Sequence, residues 1–299
     1  MQALIPFPDI SPEIFSIPLG SVTLALRWYA LAYVAGLLIA WRWIARLIKN
    51  PALWKDGRAP LSTQQVEDIL TWVILGVILG GRLGFILFYQ PAYYLSNPLE
   101  IPMIWQGGMS FHGGFLGVIV AGILYARKHR LSIASIGDCF AATIAVGLFF
   151  GRIANFINAE LWGRPTHLPW GVVFPGTRAG TCPEGWVGPC SRHPSQLYEA
   201  GLEGLVIGIV IALVVYRRGW LQRPGMVTGL FLSLYAVSRL FVELFRQADA
   251  QFATPLNPWG HVLRFGVTAD SFGLTMGQVL SLPMLAAGLL ILFLARRNA

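Results

Sequence analysis

An arginine and two asparagines share one face of a predicted helix near the middle of the chain. Arg152, Asn155 and Asn158 follow one another at intervals of three residues, which places their side chains on adjacent turns of the same face. One guanidinium and two amides form a strip of hydrogen-bonding groups that suits a phosphate and glycerol hydroxyls. Glu160 follows where the helix is expected to break toward Gly163. The same spacing is typical of polar groups that join helices, with Arg152 paired to a carboxylate, and it does not decide between the two roles.

A second set of polar residues repeats this pattern in a later hydrophobic run. Tyr235, Arg239, Glu243 and Arg246 are separated by four, four and three residues, so all four lie on one helical face. Arg239 could hold the same anionic group as Arg152. Alternatively, Arg239 and Glu243 neutralise each other within the helix, and the sequence leaves both possibilities open.

Further residues could move protons or orient a ligand. His112 lies at the predicted start of a helix, where a histidine can take up a proton near neutral pH, although a lone histidine is more often a packing residue. Tyr29 could anchor the chain at a membrane interface or point its hydroxyl into a site. Glu199 and Glu203 are four residues apart and are possible carboxylate partners for the arginines.

The placement of three arginines predicts what such a site would bind. Arg82, Arg152 and Arg239 interrupt long hydrophobic runs, each toward the same end of its run. A charge at the centre of a membrane-spanning helix costs about 2.5–3.5 kcal/mol on the insertion scale. Arginines gathered at one depth therefore indicate a site for an anionic group, and a lipid phosphate is the ligand that a membrane setting favours.

The composition predicts that membrane-spanning helices position these residues. Of the 299 residues, 55% are apolar and only 12% are charged, and the mean hydropathy is +0.60. Seven apolar stretches have roughly the length that crosses a bilayer as a helix, about 20 residues. They cover residues 26–47, 66–89, 109–125, 136–157, 196–216, 226–245 and 276–294. We therefore expect an all-α polytopic membrane protein with seven transmembrane helices.

The basic residues predict the orientation of the chain. Thirteen of the 22 lysines and arginines, including all three lysines, fall after the first, third and fifth spans and at the C-terminus. Basic residues near span ends mark the cytoplasmic side, so the N-terminus is expected outside and the C-terminus in the cytoplasm. The remaining basic residues are all arginines at or near the outer face: Arg27, Arg82, Arg152, Arg164, Arg178, Arg192, Arg239, Arg246 and Arg264. No basic stripe lies on a soluble domain, so no nucleic acid is expected as a partner.

Two outer segments are expected to complete a single integral-membrane domain of residues 1–299. Residues 1–20 are interpreted as an interfacial arm. Residues 158–195, rich in glycine, proline and tryptophan, are expected to form a small periplasmic insertion between the fourth and fifth spans, called the head below. Cys182 and Cys190 lie in the head, where an oxidising compartment would permit a disulfide. No histidine or cysteine stands at the spacing of a metal site, so no metal is expected.

Several blocks of sequence resemble the bacterial prolipoprotein diacylglyceryl transferases. The most specific block runs from Gly151 to Gly163 as Gly-Arg-x-x-Asn-Phe-x-Asn-x-Glu-x-x-Gly. Further blocks are Arg27-Trp28-Tyr29, Gly80-Gly81-Arg82, Ser110-Phe111-His112-Gly113-Gly114, His193-Pro194-Ser195-Gln196-Leu197-Tyr198-Glu199, Arg239-x-x-x-Glu243-x-x-Arg246-Gln247-x-Asp249-x-Gln251 and Met276-Gly277-Gln278. The blocks follow one another in the expected order from about residue 13 to the C-terminus.

The resemblance implies an enzyme of the bacterial inner membrane with its active site toward the periplasm. The implied reaction transfers the diacylglyceryl group of phosphatidylglycerol to the lipobox cysteine thiol of a prolipoprotein signal peptide, which forms a thioether and releases glycerol 1-phosphate. Phosphatidylglycerol, prolipoprotein signal peptides and membrane lipids are the expected partners, and no cofactor is expected because both substrates bring their own reactive groups. The alternative is an anionic-lipid transporter or flippase. Transport would require polar residues across the whole membrane depth, whereas the inner halves of the spans hold few charges.

The expected roles of the site residues follow from these blocks. Arg152 and Arg239 are expected to hold the phosphate, and His112 to take the proton of the thiol. One of three glutamates could serve as the base instead: Glu160, Glu199 or Glu243. The residues expected to bind or orient the substrate are Tyr29, Arg82, Asn155, Asn158, Glu160, Gly163, Tyr235, Glu243 and Arg246.

Overall fold

Long helices make up most of the protein. A computed structural model describes residues 4–19, 22–248, 251–268 and 271–297. Its α-helices are α1 (Trp28–Ile48), α2 (Thr63–Tyr89), α3 (Pro91–Ser96), α4 (Phe111–Lys128), α5 (Ile133–Ile157), α6 (Thr177–Gly180), α7 (Ser195–Glu199), α8 (Ile207–Arg218), α9 (Met226–Val242) and α10 (Met276–Arg297). A π-helical segment, Ala200–Val206, joins α7 to α8. The strands are β1 (Ile5–Pro6), β2 (Glu13–Leu19), β3 (Val22–Arg27), β4 (Val172–Val173), β5 (His261–Arg264) and β6 (Gly273–Thr275).

Five helices in the described ranges are long and apolar enough to cross a membrane. They are α1, α2, α5, the continuous helix from α7 to α8 (Ser195–Arg218), and α10. α9 is a shorter apolar helix of 17 residues, and α4 has 18 residues at the position of the third predicted span. The chain is therefore a mostly helical, polytopic membrane protein, as the sequence predicts. The count of seven spans and the orientation of the termini stay predictions.

Short strand pairs accompany the helices, so the expectation of an all-α fold was too strict. β2 pairs antiparallel with β3, and the predicted arm therefore folds as a hairpin that leads into α1. β1 pairs in parallel with β4 of the head. Phe7 packs against Phe156 and Phe174, each with ring centroids 5.4 Å apart. Residues 1–3 and 20 of the predicted arm lie outside the described residues.

The head is held together by a disulfide and a buried arginine. Cys182 and Cys190 form the predicted disulfide. The Arg192 guanidinium donates hydrogen bonds to the carbonyl oxygens of Ala179 at 2.7 Å and Thr181 at 2.5 Å. Burial lowers the pKa of Arg192 to about 10, so this side chain stays charged at neutral pH. The predicted boundaries of the head stay a prediction.

The main apolar core lies at the helix ends remote from the head. It includes the C-terminal ends of α1, α4 and α8 and the N-terminal parts of α2, α5 and α9, and Leu47, Ile211 and Val227 are fully buried in it. Within a membrane, close packing of such side chains stabilises helix contacts through van der Waals attraction. This core fixes the bundle around which the opposite helix ends are arranged.

A buried aspartate fixes α9 beside α5. Asp138 of α5 is fully buried and accepts hydrogen bonds from the backbone N–H groups of Gly225 at 2.7 Å and Thr228 at 2.8 Å. A carboxylate at a helix N-terminus satisfies N–H groups that have no partner within the helix. The contact sets the register between the two helices that carry Arg152 and Arg239.

Glycines allow α2 and α4 to approach closely. A Cβ built on Gly76 would lie 2.5 Å from the carbonyl oxygen of Gly117, and one built on Gly84 would lie 2.6 Å from the Cα of Gly113. Larger side chains at these positions would push the helices apart. The contact holds the first turn of α4, which contains His112, against α2.

Candidate active site

A hydrogen-bonded triad forms where α5 ends. Asn155 donates from Nδ2 to Glu160 Oε1 at 2.9 Å and also to the hydroxyl oxygen of Tyr29. The Tyr29 hydroxyl in turn donates to the same Glu160 oxygen. The structure thus brings together three of the predicted site residues, from α1, α5 and the following turn.

The turn after α5 has an unusual backbone that aims Glu160 at this triad. Ala159 and Leu161, the neighbours of Glu160, have φ angles of 52° and 55°. Positive φ is uncommon for residues other than glycine, and such strain persists only where the surrounding structure imposes it. The Gln196 side chain contributes, because its Nε2 donates to the Glu160 carbonyl oxygen at 2.5 Å.

Three arginines converge on one buried carboxylate. Glu199 of α7 lies 3.1 Å from Arg152 Nε, 2.6 Å from Arg239 Nη1 and 2.8 Å from Arg246 Nη1. Its own side chain has no exposed surface. Glu199 therefore gathers guanidiniums from α5, α9 and the residues after α9 into a single site. We call this group, together with Glu243, the arginine–glutamate cluster.

Glu243 closes the cluster on its other side. Its Oε2 lies 3.0 Å from Arg239 Nη2 and 3.6 Å from Arg246 Nε, and its Oε1 accepts a hydrogen bond from Thr275 Oγ1 at 3.0 Å. A Cβ built on Gly277 would lie 2.7 Å from the Glu243 carboxyl carbon. The glycine of the Met-Gly-Gln block thus leaves the space that the carboxylate occupies.

The structure forms the Arg239–Glu243 pair that the sequence left open as an alternative. The arginines of the cluster nevertheless keep part of their side chains exposed. Arg239 pairs with Glu243 as the i, i+4 spacing allows, but it pairs with Glu199 as well. The exposed fractions are 18%, 16% and 12% for the side chains of Arg152, Arg239 and Arg246, against 0% for Glu199. The Glu243 side chain is 9% exposed, so arginine side chains make up most of the accessible surface of the cluster and give it a positive character.

Arg152 connects the cluster to the triad. Its Nη1 lies 3.5 Å from Asn155 Oδ1, while its Nε faces Glu199. A second glutamate, Glu203 of the π-helical segment, lies 3.6 Å from Arg152 Nη2 and is fully buried. The predicted strip on α5 therefore lies between the hydroxyl of Tyr29 and the carboxylates of α7 and the π-helical segment.

Arg82 makes contacts of a different kind. Its guanidinium donates to the carbonyl oxygens of Glu100 at 2.6 Å, Ile101 at 2.7 Å and Gly107 at 2.7 Å, and it lies 5.0 Å from the ring centroid of Tyr94. These bonds fix the loop before α4. The predicted role of Arg82 in substrate binding stays a prediction, but its geometry is that of a structural arginine.

The remaining predicted residues lie on separate elements, and their distances to the cluster are not what supports their roles. His112 is exposed in the first turn of α4, where Ser110 Oγ accepts a hydrogen bond from the N–H of Gly113 at 3.2 Å. Asn158 follows the last residue of α5 and is partly buried. Tyr235 lies one helical turn before Arg239 on α9, with its ring 5.9 Å from that of Phe231.

Gly163 is a packing position that links the head to the cluster. It forms an isolated antiparallel bridge with Arg246, and a Cβ built on it would lie 2.5 Å from the carbonyl oxygen of Phe245. Next to it, Arg164 donates from Nε to the Arg246 carbonyl oxygen at 2.7 Å. The predicted substrate-binding role of Gly163 stays a prediction.

Sequence reasoning overlooked two neighbours of the cluster and left one position untested. Thr275 was not singled out, although it directly precedes the Met-Gly-Gln block, and His193 was named only as part of a sequence block. His193 Nδ1 lies 3.1 Å from the Tyr198 hydroxyl, and burial and the nearby Arg164 charge lower the pKa of His193. Asp249, part of the block that contains Arg246, lies outside the described residues. Among the described residues, no group of three or more His, Cys, Asp or Glu side chains could hold a metal ion.

Known proteins are similar to the chain along almost its full length. The family model described as prolipoprotein diacylglyceryl transferase matches residues 12–294. A phosphatidylglycerol–prolipoprotein diacylglyceryl transferase of Cereibacter sphaeroides is 61% identical over 298 residues, which cover 100% of both chains. The protein of that name from Ruegeria pomeroyi is 58% identical over 296 residues, 99% of each chain. The one from Rhizobium meliloti is 49% identical over 297 residues, 99% of this chain and 96% of the relative.

Proposed function

Because the chain belongs to the prolipoprotein diacylglyceryl transferase family, we propose that it transfers the diacylglyceryl group of phosphatidylglycerol to the lipobox cysteine of prolipoproteins. This transfer is the first step of lipoprotein lipidation. The cysteine sulfur attacks the methylene carbon that joins the diacylglycerol part to the phosphate. The carbon–sulfur bond forms, and the bond between that carbon and the phosphate oxygen breaks. Glycerol 1-phosphate leaves with the bonding electrons, and the thiol proton passes to a base.

The observation that carries the proposal is the positive face of the arginine–glutamate cluster. The side chains of Arg152, Arg239 and Arg246 are partly exposed, whereas those of Glu199 and Glu243 are buried. Arginine forks bind phosphate oxygens in pairs. Fixed cations in a water-poor site stabilise the charge that develops on a leaving phosphate, and each such donor is typically worth about 2.7–4 kcal/mol of barrier.

The triad next to the cluster supplies groups for the glycerol part of the lipid. Tyr29, Asn155 and Glu160 form one hydrogen-bonded unit, and Asn155 reaches Arg152. Hydroxyl, amide and carboxylate groups can exchange hydrogen bonds with the glycerol hydroxyls. We therefore place the phosphate at the arginines and the glycerol head group toward the triad, with Asn158 and Tyr235 at its edges.

The thiol needs a base because a free cysteine has a pKa of about 8.5 and is mostly protonated at neutral pH. His112, in the first turn of α4, is our proposed acceptor of this proton. Of the three alternative glutamates, Glu160 fits the role best, since its carboxylate contacts the neutral groups of Tyr29 and Asn155. Glu199 and Glu243 are ion-paired with arginines, so their carboxylates are already engaged.

The proposed setting is the inner membrane of a bacterium. We propose seven spans, with α4 as the third and α9 as the sixth, the N-terminus outside and the C-terminus in the cytoplasm. The cluster then faces the periplasmic side, below a head of residues 158–195 in a single domain of residues 1–299. Phosphatidylglycerol reaches this site from the surrounding membrane lipids, and the prolipoprotein presents its signal peptide. The match to transferases along the chain does not favour the rival transporter or flippase.

The deciding experiment mixes the purified protein with phosphatidylglycerol vesicles and a lipobox peptide. Peptide mass and glycerol phosphate release are followed together. A diacylglyceryl gain in peptide mass with equal release of glycerol phosphate is the expected result. Folded protein that yields neither product while labelled lipid crosses the bilayer would replace the transferase with the transporter.

A further inference from the structure

Glu203 is a buried carboxyl group that the proposed reaction does not use. Its side chain has no exposed surface. Among the described residues, neither of its carboxyl oxygens has a hydrogen-bond partner. The nearest cation is Arg152, whose Nη2 lies 3.6 Å away. Burying an ionised carboxylate without donors costs far more than burying a neutral polar group.

Glu199 provides a comparison on the same continuous helix. It is four residues away and equally buried, but it lies within 3.1 Å of three guanidiniums. Those charges satisfy Glu199 as a carboxylate. The π-helical segment that begins directly after Glu199 carries Glu203, and Gly204 packs against Phe149 of α5, where a Cβ would lie 2.6 Å from the Phe149 Cβ. Within 4 Å, Glu203 thus faces one guanidinium, that of Arg152, whereas Glu199 faces three.

The charges around Glu203 come from every helix packed against it. They are Glu199 on its own helix, Arg152 on α5, and Arg239 and Arg246 on and after α9; Tyr235 of α9 is the neighbouring titratable hydroxyl. The cluster itself contains three arginines and two glutamates and so carries one positive charge. An ionised Glu203 would cancel that charge, whereas a neutral Glu203 preserves it. Glu160, across Asn155, contacts the neutral groups of the triad.

From this geometry we infer that Glu203 is held as the neutral carboxylic acid, so that the cluster keeps one uncompensated positive charge for a singly charged phosphodiester. The inference rests on the proposed function, because it assigns the charge of the lipid that the cluster binds. Glu203 is thus a positioning residue that acts on the lipid through Arg152. Ionisation of Glu203 would make the cluster neutral and weaken binding of the lipid phosphate.

Infrared spectroscopy of the purified, full-length protein tests the protonation state without requiring activity. The wild-type protein should show a carbonyl band of a buried carboxylic acid that disappears in Glu203→Gln and persists in Glu199→Gln. A spectrum in which Glu203→Gln removes no such band overturns the inference. If Glu203→Gln does not fold, alkaline titration of the wild-type protein replaces it: conversion of the band to a carboxylate signal supports the inference, and absence of the band at every pH overturns it.

A kinetic measurement tests the consequence for lipid binding. In wild-type protein the KM for phosphatidylglycerol should rise as alkaline pH ionises Glu203, while kcat changes little. Each tenfold rise in KM corresponds to a loss of about 1.4 kcal/mol of attraction. In Glu203→Gln the KM should not follow pH in this way, because an amide cannot ionise. An equal rise of KM in both proteins contradicts the inference. A wild-type protein that forms no thioether would instead refute the proposed function, and the infrared result would still decide the state of Glu203.

Discussion

Two groups of arginines in this protein are buried by different means. Arg82 and Arg192 give their guanidinium hydrogens to backbone carbonyl oxygens of nearby loops. The arginines of the cluster pair with carboxylates and keep part of their side chains exposed. Carbonyl-bound arginines leave no direction from which an anion can approach, whereas carboxylate-bound arginines present a positive face. The partners of an arginine therefore separate the two groups better than its depth does, and only the carboxylate-bound group suits the proposed phosphate binding.

The largest expected effect is that of Arg152→Ala. Turnover should fall by roughly 10²–10³-fold, because one donor to the developing phosphate charge is lost. The protein should remain folded, since Glu199 keeps Arg239 and Arg246 as partners. The coupled assay of peptide mass and glycerol phosphate measures the change, and Arg152→Lys, which keeps the charge without the fork, should recover only part of the activity. Near-normal turnover of the alanine variant would refute phosphate binding by this residue.

Arg82→Ala tests the structural role of an arginine that is bound by backbone carbonyl oxygens. The variant removes the hydrogen bonds that a charged donor makes to the carbonyl oxygens of Glu100, Ile101 and Gly107, and such bonds are worth about 1.5–3 kcal/mol each. The midpoint of thermal unfolding in detergent should drop clearly, while turnover per folded molecule at low temperature should fall far less than in Arg152→Ala. A folded Arg82→Ala protein as inactive as Arg152→Ala would instead support the sequence-based assignment of Arg82 to substrate binding.

Cys182→Ser should loosen the region around the second carbonyl-bound arginine. The Cys182–Cys190 disulfide closes a short loop next to the carbonyl groups that Arg192 binds, and the loss of such a loop constraint costs about 2–3 kcal/mol. Thermal unfolding should occur at a lower temperature, with little change in turnover when the assay is cold. Treatment of the wild-type protein with a reductant should reproduce the shift. An unchanged midpoint of thermal unfolding in both cases would mean that the disulfide does not stabilise the head.

Gly277→Ala tests how closely the position of Glu243 controls the arginine–glutamate cluster. The added methyl group would meet the Glu243 carboxyl group, and overpacking of this kind typically costs about 1–3 kcal/mol. Because Glu243 orients Arg239, turnover should fall about tenfold. Gly122→Ala on α4 is the matched control, since a Cβ there meets nothing within 4 Å. Equal activity of the two variants would mean that the position of Glu243 does not matter for the reaction.

Local sequence patterns predicted much of this structure. Hydrophobic runs located the helices because a long apolar helix can be recognised from the length and composition of its own segment alone. The spacing of Tyr235, Arg239, Glu243 and Arg246 placed these residues on one side near the end of α9 for the same reason. The disulfide was also predictable, since its two cysteines are only eight residues apart.

Contacts between distant segments were beyond the reach of these patterns. Which glutamate pairs with which arginine depends on the packing of α5, α7 and α9, and spacing along one helix cannot reveal that Glu199 gathers three guanidiniums while Glu203 has no hydrogen-bond partner in the described part of the chain. Arg82 looked like the other arginines within spans because its partners are backbone carbonyls, which leave no mark in the sequence. The β2–β3 hairpin is a local contact, and it was missed because residues 1–20 were interpreted as an interfacial arm.

Arg246 connects the head to the arginine–glutamate cluster, because its backbone pairs with Gly163 and its side chain belongs to the cluster. The backbone of Arg246 is bound to the head through this bridge and through the Arg164 side chain, whereas its guanidinium is bound to Glu199. The side chain of Arg246 alone thus links this point of the head to the cluster. Any displacement of the head must carry Arg246 with it or break the bridge, so movements of the head and of the arginine–glutamate cluster are coupled.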